Sequence, residues 1–119
     1  MNDPNEFCEI NADEDAEFLM PGKSPKLHLV LFCAPGAPTI QKARDLVTQI
    51  EVPEDLAFVH LDPSGAPETT RWFGLSDTIG MAAIYDGAML AVEYECSLDA
   101  FRRLLTTARQ QHARLKELG

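Results

Sequence analysis

Cysteine is scarce here: the chain has three, Cys8, Cys33 and Cys96, an odd number with no metal-type spacing. That set argues against a disulfide framework and a zinc site, and suits reduced thiols in a reducing compartment. Long apolar runs are missing, so no segment suits a bilayer span. Basic residues are few, ten Lys and Arg against nineteen Asp and Glu, for a net charge of −9. Such a field repels a nucleic-acid backbone and argues against that partner class. The acidic start, "MNDPNEFCEINADEDAEF", has neither the basic region nor the apolar stretch of a secretion signal, so a cytoplasmic location is expected. Internal repeats, low-complexity tracts and long linkers are also absent. What remains is one domain over residues 1–119, large enough to bury roughly two thirds of the surface of its unfolded chain without a metal or a disulfide.

Along the chain, "FCEIN" (7–11) reads as a short edge strand, and "DEDAEFLM" as a helix stopped by Pro21 and Gly22. "LHLVLFC" (27–33) is apolar almost throughout, the pattern of a central strand buried on both faces. From Pro38 to about Ile50 the residues Ile40, Ala43, Leu46, Val47 and Ile50 recur at helical steps behind a proline suited to a first turn. "LAFVHLD" (56–62) is a second buried strand, and "ETTRWFGL" a short helix that Gly74 closes. "TIGMAAIY" (78–85) and "AMLAVEY" (88–94) flank Asp86 and Gly87, the dipeptide of a tight hairpin, so these two strands are antiparallel. Ser97 caps a final helix to about Leu118 that shows Leu98, Phe101, Leu105, Ala108, His112 and Leu115 on one side. The predicted class is α/β, in the order β-α-β-α-β-α-β-β-α, with a central mixed sheet flanked by helices.

That order, with "VLF" before a helix, "HLD" closing the middle strand, "RWFGL" ending a helix and "YDG" at the hairpin, resembles the thioredoxin fold over nearly the whole chain. The resemblance implies a redox centre, and the residues there depart from it. Its Trp-Cys-Gly-Pro-Cys segment aligns with Gly36, Ala37, Pro38, Thr39 and Ile40, so both catalytic sulfurs are gone and disulfide exchange at this site is impossible. The family's buried acid and its partner lysine align with Leu31 and Phe58, an ionisable pair turned apolar. Its Ile-cisPro-Thr segment aligns with Thr78, Ile79 and Gly80, which contain no proline, and a trans bond is expected there.

The residual surface, Gly36, Ala37, Pro38, Thr39, Ile40, Thr78 and Ile79, is small and apolar without a reactive atom, and reads as a protein-binding face. A redox-inactive binding module follows, an assembly factor, chaperone or accessory subunit with no cofactor; its missing dithiol and acidity resemble the hydrogenase-operon chaperones of thioredoxin type. Two alternatives stand beside it. Cys33, at the position of the family's tryptophan, is the candidate reactive thiol of a one-cysteine enzyme or sensor; no cation lies close to it in sequence, and a small buried hydrophobe is the simpler reading. The final helix, longer than the fold needs, offers a ridge for homo-oligomerisation in a structural subunit. Cys8 and Cys96 are expected on opposite sheet edges and inert, His28 and His60 as satisfied strand histidines, Trp72 and Phe73 as core and helix-packing surface, and Glu9 to Glu17 as a solvated acidic face.

Overall fold

In chain order the computed structural model contains β1 (Phe7–Ile10), a 3₁₀ segment (Asp13–Leu19), β2 (Leu27–Phe32), α1 (Pro38–Val47), β3 (Leu56–Leu61), α2 (Pro67–Trp72), β4 (Gly80–Tyr85), β5 (Ala88–Glu93) and α3 (Leu98–Leu118). It describes residues 7–23, 26–33, 38–49, 56–74, 80–94 and 97–118. One sheet runs in the order β1-β3-β2-β4-β5. The β1–β3 and β2–β3 pairs are parallel, the β2–β4 and β4–β5 pairs antiparallel. The apolar run of β2 predicts the middle of the sheet, and all six of its residues are buried there.

Alternation along β2 divides the interior in two. Leu27, Leu29, Leu31 and Cys33 face Ala43 and Val47 of α1 and Phe101 and Leu104 of α3. Val30 and Phe32 face the other way, toward Leu19 of the 3₁₀ segment and Phe73 beyond α2. Phe32, Phe58 and Phe101 are fully buried, each stabilising the fold by about 1.5–3 kcal/mol relative to exposure.

The hairpin between β4 and β5 is a two-residue turn in which Asp86 has φ 50° and Gly87 φ 77°, the signature of a type I′ turn. The Asp86 carboxylate also accepts a hydrogen bond from the Gly22 N–H at 2.6 Å, tying the turn to the chain that enters β2.

Three expectations are corrected. Residues 13–19 form a 3₁₀ segment instead of an α-helix. Asp13, Glu14, Asp15 and Glu17 crowd one short stretch, a Lys23–Glu17 pair at 3.4 Å offsets part of their repulsion, and Ala12 supplies no side-chain cap. The threefold repeat still brings Ala16 and Leu19 to one buried face. Helix α1 stops at Val47, short of Ile50, because Thr48 Oγ1 donates to the Asp45 carbonyl at 2.6 Å and captures a group that a longer helix would use. Finally, Trp72 is 62% exposed although Phe73 is buried. Helix α2 has only six residues and turns Thr69, Thr70 and Phe73 inward, which points position 72 outward.

Candidate functional site

The end of the sheet where β2 and β3 finish and β4 begins is the end that α1 leaves. Cys33 follows β2 directly, its N–H donating to the Leu61 carbonyl at 3.3 Å. Gly80 opens β4 opposite Phe32. A Cβ on Gly80 would stand 2.6 Å from the Glu93 carbonyl oxygen and 2.8 Å from Phe32 Cζ, so only glycine lets the hairpin close against β2 here. Tyr94, largely exposed, sets its ring edge-on to Phe32 at 6.3 Å between centroids.

Of the predicted binding face, Pro38, Thr39 and Ile40 form the first turn of α1. Pro38 is exposed and Ile40 half-buried against the core between the sheet and the α1/α3 layer. Gly36, Ala37, Thr78 and Ile79 lie outside the described residues, as does Cys96. Leu31 and Phe58, the positions aligned with a buried ion pair, are both in that core with no ionisable atom of their own.

Cys33 is buried, and the feature the sequence reading missed stands beside it. Parallel pairing sets Glu9 of β1 against His60 of β3, and Leu31 of β2 against the same histidine. Glu9, His60 and Cys33 thereby share one face. His60 Nδ1 meets Glu9 Oε2 at 2.5 Å, while its Nε2 lies 3.0 Å from the Cys33 carbonyl oxygen and 3.5 Å from Cys33 Sγ. Glu9 Oε1 also faces Arg44 of α1 at 3.7 Å. The two ring nitrogens thus face a carboxylate on one side and the Cys33 carbonyl and sulfur on the other. A histidine therefore does reach Cys33, brought by strand register from 27 residues away. The signal in the sequence was a charged Glu9 on the first strand, set against the "VHL" of the middle one; pairing two strands across a crossover was needed to use it.

The expectation that Glu9 to Glu17 is a solvated face holds for the exposed Glu14, Asp15 and Glu17 and is corrected at Glu9 and Asp13. Glu9 joins His60 and Arg44, and Asp13 accepts from the Thr69 N–H at 2.8 Å and Oγ1 at 2.9 Å and from the Glu68 N–H at 3.3 Å. The Thr69 N–H above all holds the Asp13 carboxyl below its ordinary range. Cys8, exposed on the edge strand β1, has its thiol pushed up by partial burial and by the charges of Glu9 and Asp15, which keeps it protonated. His28 on β2 is buried, its ring 5.1 Å from that of Phe18; burial first, then Lys26, lowers it to about 4, so it is neutral. Among the described residues no group of three His, Cys, Asp or Glu side chains could hold a metal ion, and no helix is long and apolar enough to cross a membrane.

No protein-family model and no curated protein sequence matches this chain. Solved structures do. The thioredoxin of Schistosoma mansoni is 21% identical, with 88% of this chain and 97% of that one covered at a TM-score of 0.66. A mutant thioredoxin from Halobacterium salinarum is 15% identical over 91% and 95%, TM-score 0.67. The thioredoxin of Trypanosoma brucei brucei is 12% identical over 91% and 95%, TM-score 0.69. Strand order, strand directions and these likenesses agree: the chain has the thioredoxin fold.

Proposed function

We propose that this chain is a protein-binding module, a thioredoxin fold that performs no dithiol exchange and recognises its partner at the start of α1, in the role of an assembly factor, chaperone or accessory subunit. One observation carries the reading: the helix start that aligns with a dithiol reads Ala37-Pro38-Thr39-Ile40 and offers no sulfur. The apolar Leu31 and Phe58 beneath support it, since the family's acid–lysine relay has no use where the dithiol it serves is missing. Pro38 and the exposed part of Ile40 give the surface its apolar character.

Two measurements test this. Insulin reduction by the purified chain with dithiothreitol is expected to stay at the uncatalysed rate; a thioredoxin-like rate refutes the reading. A photo-crosslinking residue at position 38 is expected to capture one protein repeatedly in the native cell, and Ile40→Asp to abolish that capture. Because Ile40 also touches the core, the variant's circular dichroism must match wild type. Capture that persists in a folded variant sinks the assignment of the face.

A further inference from the structure

Cys33, His60 and Glu9 form a connected set that protein binding does not use. A nucleophile, a histidine within reach of it and a third group that orients the histidine is the arrangement that activates thiols in unrelated folds. His60 Nε2 lies within reach of both the Cys33 sulfur and the Cys33 carbonyl, and Glu9 holds the opposite ring nitrogen. A protonated ring in that place would give a Cys33 thiolate a charge-assisted partner. The charged groups facing the ring are Glu9 from β1 and, across Glu9, Arg44 from α1.

From this geometry we propose that Cys33 is an oxidation site for hydroperoxide, with His60 supplying the proton that the reaction needs. The thiolate sulfur attacks one oxygen of hydrogen peroxide, the S–O bond forms as the O–O bond breaks, and the departing oxygen takes the Nε2 proton. Thiolate, peroxide and imidazolium become sulfenic acid, water and neutral imidazole, with sulfur oxidised by two electrons and peroxide reduced by two. At 2% exposure Cys33 is closed to a second protein's disulfide, so the reagent in this proposal is a small peroxide. This step needs no dithiol, and its outcome is independent of the partner-binding face.

The test uses the full chain carrying Cys8→Ser and Cys96→Ser, treated with hydrogen peroxide and a sulfenic-acid trap and followed by intact mass. Cys33 is expected to label in the folded chain. His60→Gln is expected to slow labelling at least about tenfold at pH 6.5, the effect of one unit of thiolate stabilisation, and the gap to narrow at pH 9, where a thiolate forms without a cation. Glu9→Gln, on the half-exposed side of the set, should slow labelling by a smaller factor, and it decides the matter if His60→Gln fails to fold. A Cys33 that labels only after unfolding overturns the proposal. So does an equal or faster rate in a folded His60→Gln or Glu9→Gln chain, or a slowing that is the same at both pH values, which would mark a merely structural histidine.

Discussion

Three buried histidines in one small domain sit in different surroundings, and two of these separate cleanly by what faces the ring. His60 is given acceptors on both nitrogens, whereas His28 is given an aromatic ring and the neighbouring charge of Lys26. With His28 held at about 4 against an ordinary 6.5, the unfolded chain takes up a proton between those values and the folded chain does not. Stability therefore falls as the pH drops from about 6.5 to about 4, by about 2 kcal/mol once partial solvent screening is allowed for. His28→Leu removes this dependence. Urea midpoints at pH 7 and pH 4.5 are expected to move less in the variant, by that amount; an identical pH response in both proteins would refute the assignment. At Leu31 the same physics runs in reverse. Leu31→Asp restores an acid to a buried site across from His60, which Glu9 already engages, with no lysine at Phe58 to meet it, and desolvating the carboxyl there costs about 3 kcal/mol or more. Chemical denaturation of the variant measures that loss, and a change under about 1 kcal/mol would mean the site is wetter than its burial implies.

Among the elements, α2 depends most on a residue outside itself. It has six residues, opens on Pro67, and its own preceding residue, Ala66, supplies no side-chain cap. Asp13 takes that role from the 3₁₀ segment, accepting from the Glu68 and Thr69 N–H groups. Asp13→Ala is expected to lower the melting temperature by several degrees at pH 7 and by progressively less as the pH falls below the ordinary carboxylate range, where the wild type loses the stability its lowered carboxyl supplies; a loss independent of pH would deny the cap. This contact also explains what the sequence made legible. The strands, the hairpin and the helical stripe of α3 are local patterns of period two or 3.6, and each was readable from its own residues. Asp13 looked like one more solvated acid because its partners lie 55 and 56 residues on. Trp72 looked like core because an aromatic pair gives no hint of which member faces inward. Glu9, His60 and Cys33 come from three strands, and no single stretch announces a site assembled by register.

At the scale of the whole molecule, the sheet separates layers of opposite charge. The 3₁₀ segment carries Asp13, Glu14, Asp15 and Glu17 on one face, and α3 carries the exposed Arg102, Arg103, Arg109 and Arg114 on the other. Arg103 meets Glu93 at 2.9 Å, and among the described residues no ion pair is made by Arg109 or Arg114 farther along α3. The last buried side chain described on α3 is His112, its ring tilted at 59° against that of Tyr85 with centroids 4.4 Å apart; Ala113, Arg114, Leu115 and Glu117 beyond it are exposed. The ridge expected for homo-oligomerisation thus offers half-exposed Leu115 as its described apolar side chain, flanked by cations that a second copy would duplicate. Cutting the chain after His112 removes no buried side chain among those described, so its melting should stay within about 0.5 kcal/mol of the full chain. Sedimentation of both is expected to give a monomer. A dimer that the full chain forms and the shortened chain loses would revive the structural-subunit reading and move the partner surface from α1 to the far end of α3.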